Sequence, residues 1–421
     1  MEEKMRKTAV EVIYKYLVEG CYLNIELNHV LNQSKLSRQD KDLLTQIVYG
    51  TIQNKLFLEY QMAPFRKGKI KKYEQAVLLM SLYQIYFLDR IPSYAIINDA
   101  VEIVKQKRGM ATSKMINAIL RNCIRQGKRD LKDLDELAKL SIETSTPLWL
   151  VKMWNKQLGF EKTKKACFAS LEKPTLAARI NTLKATKVDL LADENWQEGY
   201  LSEDALLYKQ GNIAHLDEFK EGKVTIQDES SQLVARMLNP QKGSQVLDMC
   251  GAPGSKTTHL AAIMENTGHI DVYDLYEHKG KLIQNNLDRL GITNTTVHVG
   301  DSTKLNEIYS KESFDYILLD GPCSGLGVIA RKPEIKYQDP QNMDEIIQLQ
   351  AKLLDVAYLL LKKGGTMTYS TCTVNKKENE LQVQKFITAH PDIKKIEEKL
   401  ILPGEYHSDG FYICKLEKES L

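Results

Sequence analysis

The sequence predicts a multidomain protein that combines an all-α N-terminal bundle, a small α/β subdomain and a doubly wound, Rossmann-like α/β domain. Three observations lead to this prediction. The chain has 421 residues, and a domain takes roughly 150. Its first third places apolar residues at helical spacing, and from about residue 241 strand-like and helix-like segments alternate. We therefore expect domains at residues 1–140, 141–240 and 241–421.

The N-terminal bundle is indicated by its periodicity and is set apart by its charge. Thr8–Gly20 and Ala76–Leu88 repeat apolar residues every three or four positions, as helices do. Residues 1–140 hold 24 Lys and Arg against 16 Asp and Glu, whereas the remainder holds 34 against 39. This asymmetry points to a polyanion that binds the N-terminal part.

One loop of this bundle is especially basic, since five of the seven residues from Arg66 to Lys72 are cations. Solvation of an exposed loop is the ordinary explanation, and contact with nucleic-acid phosphates is the functional one. We favour the second because the surrounding domain is also basic. The predicted phosphate contacts are Arg66, Lys67, Lys69, Lys71 and Lys72.

Residues 141–240 change character and predict a small mixed α/β subdomain. Pro147, Trp149 and Trp154 mark a short helix, and Leu176–Asn181 and Val224–Gln227 have the apolar, β-branched composition of strands.

From residue 241 the alternation predicts a mostly parallel sheet covered by helices. The strand candidates are Gln245–Asp248, Ile270–Asp274, Thr296–Val299, Tyr316–Asp320 and Thr366–Ser370. The helical stretches between them are Thr257–Met264, His278–Leu290 and Met343–Leu361.

A glycine-rich turn follows the first strand of this sheet. The run VLDMCGAPGSKTT from Val246 to Thr258 has the pattern of a strand, a tight turn and a helix start. A helix N-terminus there offers free N–H groups to a ligand. The turn is not a Walker A loop, because Ser255 stands before Lys256 where that loop has glycine.

Four acids follow four successive strands, namely Asp248, Asp274, Asp301 and Asp320. The carboxyl ends of parallel strands share one edge of a sheet, so we expect an acidic rim there. Helix capping would explain any one of these residues alone. Together they suit a ligand with hydroxyls, amines or positive charge, such as a nucleoside that carries an amino acid and a sulfonium.

The seven cysteines contain no CxxC pair, which argues against zinc and disulfides, and we expect no metal. Cys323 and Cys372 follow the fourth and fifth strands, on the same rim as the ligand. Cysteines are often small core residues. Two at adjacent strand ends can instead act as a nucleophile and as an acid or base.

The sequence predicts neither a signal peptide nor a membrane span. The N-terminus MEEKMRKTAV has no apolar signal-peptide core. No run of about 18 uncharged apolar residues is present, so no membrane span is expected. We predict a cytoplasmic, monomeric protein with reduced thiols.

With these motifs the chain resembles the S-adenosylmethionine-dependent RNA (cytosine-5) methyltransferases, and among them the bacterial RsmB (Sun/Fmu) type, which modifies 16S ribosomal RNA. The residues that carry this resemblance are DMCGAPGSKTTH at 248–259, Asp274, Gly300-Asp301, DGPCSG at 320–325, RKPEIK at 331–336, Thr371-Cys372, Glu378-Asn379 and DGFY at 409–412. Residues 1–140 resemble the NusB-like RNA-binding domain of this group. Ser255 and Gly321 replace a commoner Gly and Ala, and both are small enough to keep the turns.

The resemblance implies a role for each site residue. Cys372 is the nucleophile that adds to C6 of cytosine, Cys323 serves product release, and Asp320 binds the pyrimidine edge near N3. Lys256 either holds Asp320 or the base, or is a plain surface lysine. The target base has to be unstacked to reach the site.

The implied cofactor is S-adenosylmethionine, and the implied partner is 16S ribosomal RNA. The methionine part of this cofactor is expected over the glycine-rich turn, its ribose at Asp274 and its adenine at Asp301. Arg331 joins the predicted RNA contacts. The predicted cofactor-binding residues are Cys250, Gly251, Ala252, Pro253, Gly254, Ser255, Lys256, Asp274, Asp301 and Asp320.

Three alternatives to this predicted function remain open. The same chemistry could act on tRNA, because a motif does not specify the RNA. The chain could be a non-catalytic RNA-binding assembly factor, although both cysteines and all four acids are present. A DNA cytosine methyltransferase fits less well, since its nucleophile lies in the Pro-Cys motif and this chain carries Thr371-Cys372 as well.

Overall fold

A computed structural model describes residues 2–66 and 68–420 of the chain. The chain forms two compact units. The first runs from the N-terminus to Leu171 and also contains Arg331–Gln338, and the second comprises Glu172–Ala330 and Asp339–Leu421. Within the described ranges, no helix has both the length and the apolar character that a membrane span requires.

The first unit is helical, and one helix forms its centre. Its helices are α1 (Glu2–Glu19), α2 (Leu23–Gln33), α3 (Arg38–Gln53), α4 (Lys55–Met62), α5 (Lys72–Phe87), α6 (Ser93–Arg108), α7 (Met110–Gln126), α8 (Glu136–Glu143), α9 (Leu148–Leu158) and α10 (Phe160–Ala169). Helix α5 is buried on nearly every side, as expected for a helix whose apolar residues do not keep to one face. The surrounding helices are amphipathic. Helix α7, for example, buries Ile116, Leu120 and Cys123.

A short piece of the C-terminal half completes this helical unit. Pro333–Tyr337 forms a 3₁₀ helix whose first four residues are buried. Nζ of Lys336 donates to the carbonyl oxygen of Gln53 at 2.8 Å. The hydroxyl of Tyr337 donates to the carbonyl oxygen of Ile52 at 2.9 Å. Burial lowers the pKa of Lys336 to about 7. The helical fold therefore depends on residues that lie some 160 positions beyond its main segment.

The second unit contains a small antiparallel sheet with the strand order β2-β3-β1-β4. Its strands are β1 (Ala177–Ile180), β2 (Trp196–Glu198), β3 (Ala205–Tyr208) and β4 (Val224–Ile226), and it carries the short helices α11 (Lys187–Leu191) and α12 (Asp217–Lys220). Ile180, Trp196, Leu206 and Val224 fill its core.

The second unit also contains a seven-stranded sheet with the order β10-β11-β9-β8-β5-β6-β7. Strands β9, β8, β5, β6 and β7 are parallel, and β11 and β10 extend the sheet antiparallel. The strands are β5 (Gln245–Asp248), β6 (His269–Asp274), β7 (Thr295–Val299), β8 (Phe314–Asp320), β9 (Leu361–Thr371), β10 (Ile393–Ile401) and β11 (Phe411–Lys418). The helices of this part are α13 (Glu229–Leu238), α14 (Ser255–Ile263), α15 (Glu277–Leu290), α16 (Asn342–Leu360) and α17 (Glu380–Ala389).

The predicted fold class is confirmed. The helical N-terminal domain, the small α/β subdomain and the mostly parallel Rossmann-like sheet are all present. The parallel arrangement brings the carboxyl ends of β9, β8, β5, β6 and β7 to one edge of the sheet, where ligands bind in folds of this kind. This edge is called the catalytic rim below.

Candidate active site

The glycine-rich turn after β5 is packed closely against the neighbouring strand. A Cβ atom at Gly251 would lie 2.1 Å from Cγ2 of Val272, so only glycine fits without rearrangement. Gly254 has φ of +99°, which glycine tolerates best, and helix α14 begins at the next residue. The turn therefore leads directly into a helix N-terminus that faces the rim.

Asp248 connects the glycine-rich turn to helix α14. Its carboxylate is fully buried and accepts a hydrogen bond from Oγ1 of Thr257 at 2.6 Å. Burial raises the pKa of Asp248 to about 7 despite this hydrogen bond. Asp248 thus links the end of β5 to the first turn of α14.

Lys256 and Asp320 form an ion pair on the rim, with 2.6 Å between Nζ and Oδ2. The hydroxyl of Ser370 donates to the other carboxylate oxygen at 2.7 Å. Burial by itself would lower the pKa of Lys256, but the Asp320 carboxylate raises it above its usual value. Only 13% of the Lys256 side chain is exposed, so the alternative of a plain surface lysine does not describe it.

The other two rim acids differ in their surroundings. Asp274, at the end of β6, is buried, accepts a hydrogen bond from the N–H of Ala252 at 3.3 Å and lies 3.4 Å from Nζ of Lys279. Asp301 is exposed and caps a 3₁₀ helix by accepting from Thr303. The structure therefore places all four acids at the carboxyl ends of adjacent strands, with Asp301 also acting as a cap.

The two predicted cysteines lie next to each other, with 3.4 Å between their sulfur atoms. Cys323 follows β8 and Cys372 follows β9, and both are half-buried thiols that are not joined in a disulfide. The hydrogen bond to Cys372 and burial raise the pKa of Cys323 well above its usual value. Cys323 therefore holds its proton more tightly than an ordinary cysteine does.

A buried carboxylate, Glu378, ties the two cysteine loops together. One oxygen accepts from the hydroxyl of Ser324 at 2.6 Å and from the amide of Asn375 at 2.9 Å. The other accepts from the N–H of Ser324 at 2.9 Å and from the amide of Gln350 at 3.2 Å. Ser324 is the neighbour of Cys323. The motif resemblance included Glu378, but the sequence alone gave it no role.

A second buried group, Arg179, holds the first turn of α14. Its guanidinium, on β1, donates to the carbonyl oxygen of Ser255 and, at 3.1 Å, to Oγ1 of Thr258. Arg179 is fully buried. The small sheet thus fixes the turn that carries Lys256. An arginine inside an otherwise apolar strand is the sequence signal that could have revealed this contact.

Beside Arg179, His259 is buried as a neutral ring. Its Nε2 lies 2.9 Å from Oδ2 of Asp204, which also binds Arg236. Burial and the charge of Arg179 lower the pKa of His259 to about 3. This arrangement requires Nε2 to carry the proton that is donated to Asp204.

We expect the neutral state of His259 to contribute less to the free energy of unfolding in acid than at neutral pH. An unfolded histidine titrates near pH 6.5, so between about pH 6.5 and pH 3 the unfolded chain binds a proton that the folded chain does not. The contribution of His259 to the free energy of unfolding is complete above this window and falls by about 1.4 kcal/mol between pH 7.5 and pH 5.5.

Urea denaturation at pH 7.5 and pH 5.5 measures this effect. His259→Gln should change the difference in unfolding free energy between the two pH values by about 1.4 kcal/mol relative to the wild type, while other titrating groups such as Asp248 keep their own contributions. His215→Gln, at an exposed histidine of the same unit, should leave that difference as it is in the wild type. Equal pH dependence in the wild type and His259→Gln would contradict the assignment.

The predicted RNA contacts belong to the helical unit. Arg66, Lys69, Lys71 and Lys72 are exposed, and Arg331 lies in the segment that completes this unit. Lys67 lies outside the described residues. These cations and the catalytic rim belong to different units of the chain, and the role of the cations in RNA binding stays a prediction.

Three family descriptions match consecutive parts of the chain. The 16S rRNA methyltransferase RsmB/F family matches residues 235–417, and the NusB family matches residues 3–125. The RsmF/B-like ferredoxin-like domain matches residues 146–198. These matches follow the order of the helical unit, the small sheet and the Rossmann-like sheet.

Relatives of known name match over nearly the whole length. The probable ribosomal RNA small subunit methyltransferase B of Bacillus subtilis (strain 168) is 40% identical over 99% of both chains. The ribosomal RNA small subunit methyltransferase B of Shewanella oneidensis is 33% identical over 98% of this chain and 99% of its own.

Solved structures share the fold. The crystal structure of PH0851 superimposes with a TM-score of 0.84 at 24% identity and covers 99% of both chains. A methyltransferase homologue from Pyrococcus horikoshii gives a TM-score of 0.61 at 25% identity, over 68% of this chain and 99% of its own. Taken with the sequence relatives, these findings show that the chain belongs to the RsmB/F family of 16S rRNA methyltransferases, as a member of the RsmB type with a NusB-like N-terminal domain.

Proposed function

We propose that this protein makes 5-methylcytosine in 16S ribosomal RNA, using S-adenosylmethionine and a covalent bond between Cys372 and C6 of the target cytosine. The observation that carries the proposal is the pair of sulfur atoms 3.4 Å apart on the catalytic rim. A methyltransferase that acts on a hydroxyl or an amine needs no thiol. A pair of thiols suits a reaction in which one group adds to the ring and another assists its departure.

The residues of the turn fit S-adenosylmethionine, which supplies an electrophilic methyl group when bound. The backbone passes close to β6 at Gly251, where a side chain would be excluded, and α14 presents free N–H groups suited to a carboxylate. The buried carboxylate of Asp274 is placed to accept hydrogen bonds from ribose hydroxyls, as acids at this strand end do. Asp301 is the candidate for the adenine amine.

In the proposed reaction, the Cys372 thiolate adds to C6 and turns C5 into an enamine-like nucleophile. Asp320, held by Lys256 and Ser370, contacts the pyrimidine edge near N3. A proton shared between its carboxyl group and N3 stabilises the negative charge that develops on the ring. Lys256 also favours the thiolate of Cys372, since the two charges attract each other.

After methyl transfer, C5 carries both the methyl group and its original hydrogen. A base must remove that proton so that the electron pair can re-form the ring double bond and expel Cys372. We assign this step to Cys323 as a thiolate, after its own proton has passed to solvent. This thiolate accepts the C5 proton, and its raised pKa makes it a stronger base than the thiolate of an ordinary cysteine.

The reaction requires the two cysteine loops to stay aligned, and Glu378→Gln tests this requirement. The amide would place donors against the N–H of Ser324 or the amide of Asn375, so we expect kcat to fall by about 100-fold, the cost of a displacement near 1 Å. The KM for S-adenosylmethionine should change little. Lys377→Gln, at the exposed neighbouring residue, is the control and should keep full activity. A Glu378→Gln enzyme with normal kcat would contradict the positioning role.

Two other functions compete with this proposal. The same chemistry on tRNA keeps the site and changes only the RNA, and a non-catalytic assembly factor would bind RNA without turnover. The NusB-like helical domain and the rRNA methyltransferase relatives favour ribosomal RNA. On this proposal the enzyme works in the cytoplasm, where ribosomes are assembled, and we expect it to act as a monomer.

Release of tritium from RNA that carries [5-³H]cytosine tests substrate and chemistry together, because methylation at C5 removes that hydrogen. We expect release from 16S rRNA that depends on S-adenosylmethionine, and little release from tRNA. Release from tRNA alone would overturn the choice of substrate. Binding of rRNA without release from either RNA would favour the assembly factor. In cells, loss of a single 5-methylcytosine from the rRNA of a deletion strain would identify the target.

A further inference from the structure

The stretch from Ile103 to Arg129, which contains the end of α6 and all of α7, carries charge of one sign only. From Ile103 to Arg129 the sequence contains no Asp or Glu. Over the same stretch it contains eight cations, namely Lys105, Lys107, Arg108, Lys114, Arg121, Arg125, Lys128 and Arg129. A solvated helix surface normally mixes both signs, often as pairs three or four positions apart. This stretch of sequence does not, and it lies apart in sequence from the predicted loop at Arg66–Lys72.

Three of the cations form a row along α7. Lys114, Arg121 and Arg125 are separated by seven and four positions, so they lie on one face of the helix, and all three are exposed. At a rise of 1.5 Å per residue the row is about 16 Å long. The opposite face of α7 packs into the core, so the row is held on a rigid element.

Intramolecular carboxylates neutralise some of the eight cations but not this row. Lys105, Lys107 and Arg108 each pair with a glutamate. Among the residues that the structure describes, no ion pair is formed by the other five of the eight cations, namely Lys114, Arg121, Arg125, Lys128 and Arg129. Arg121 and Arg125 instead donate to the side-chain oxygens of Asn117 and Asn122, at 2.9 and 2.6 Å. These neutral partners order the guanidinium groups and leave their charge uncompensated.

The row continues beyond the end of α7 next to aromatic rings. Lys128 lies 5.5 Å from the ring centre of Phe87, which is 40% exposed, and the guanidinium of Arg129 lies 4.1 Å from that of Tyr60. Cations above aromatic rings are a common feature of surfaces that bind nucleic acid, because bases stack on such groups.

We propose that Lys114, Arg121, Arg125, Lys128 and Arg129, termed the α7 cationic face, form a binding surface for the phosphate backbone of the substrate RNA. The surface provides rigid, uncompensated positive charge in a row, which complements a polyanion. It supplies affinity and not base recognition, since arginine and lysine side chains contact phosphates of any sequence. This inference rests on the proposed function in taking the RNA to be ribosomal.

The test is a triple variant, Lys114→Gln, Arg121→Gln and Arg125→Gln, which keeps good helix formers on an exposed face. Filter binding of a 16S rRNA fragment is measured over a range of salt concentrations. Loss of about three phosphate contacts should reduce the slope of log K against log salt by about 2 to 3. Affinity at low salt should fall at least tenfold, and the KM for RNA should rise while kcat at saturation stays the same.

The control is Lys162→Gln, Lys164→Gln and Lys165→Gln, three exposed cations of α10 in the same unit with the same change in net charge. It should bind almost as the wild type does. Equal affinities and salt slopes for the two triple variants would overturn the proposal, because the effect would then be one of net charge alone. Binding is measured without turnover, so this result is distinguishable from failure of the proposed function, in which the wild type would not methylate rRNA.

Discussion

Replacing Cys372 by alanine is expected to abolish methyl transfer to RNA, with a loss of about 10⁴-fold or more. Losses of this size follow the removal of a nucleophile. Without the thiolate, C5 of cytosine is too poor a nucleophile to attack the methyl group. Single-turnover transfer of labelled methyl groups to 16S rRNA measures the effect. Binding of S-adenosylmethionine, followed by calorimetry, should remain, because Cys372 follows β9 whereas the glycine-rich turn follows β5.

Cys21→Ala is the matched control, since Cys21 is a half-buried free cysteine of the helical unit. It should retain full activity. A Cys372→Ala enzyme that still methylates RNA would show that the covalent assignment is wrong. If Cys323→Ala were inactive at the same time, Cys323 would be the nucleophile and Cys372 would serve release.

Replacing Cys323 by alanine is expected to stop the reaction after methyl transfer and to leave protein joined to RNA. The methyl group is transferred once, but no base removes the C5 proton, so the bond between Cys372 and C6 persists. Denaturing gel electrophoresis should show a slowly migrating protein–RNA band that requires S-adenosylmethionine. The double variant Cys323→Ala with Cys372→Ala should give no such band. Rapid turnover by Cys323→Ala without a trapped species would contradict its role in release.

Much of the Rossmann-like fold could be predicted because its signals are local. The first strand, Gln245–Asp248, has the predicted bounds, and the other four predicted strands overlap β6, β7, β8 and β9. Strands β10 and β11 were not predicted. Strand β10 is an edge strand of the sheet, and five of its nine side chains are charged, which protects an edge from pairing but hides the apolar pattern of a strand.

The candidate site was predictable where a single strand end defines it. Asp248, Asp274 and Asp320 each end a parallel strand, so one local pattern places them on one rim. The groups that hold the site were less visible. Arg179 reaches α14 from 76 positions away, and Glu378 reaches Ser324 from 54 positions away. Their partners are set by the way the strands pack, which composition and spacing do not reveal.

The packing of one segment of the C-terminal half was the least accessible to sequence reasoning. Arg331–Gln338 begins eight positions after Cys323 but belongs to the helical unit, where Lys336 and Tyr337 bind main-chain oxygens. The segment has the composition of an ordinary polar loop, and nothing in its own residues shows where it packs. Its burial depends on carbonyl groups at the ends of helices far away in the chain.

The most direct test of the covalent mechanism is to locate the trapped bond. The Cys323→Ala protein is incubated with 16S rRNA and S-adenosylmethionine, digested with nuclease and trypsin, and examined by mass spectrometry. We expect the peptide Gly364–Lys376 to gain the mass of a methylated cytidine nucleotide, attached to Cys372. An unmodified Gly364–Lys376 peptide, recovered from a reaction in which the RNA has gained methyl groups, would contradict it.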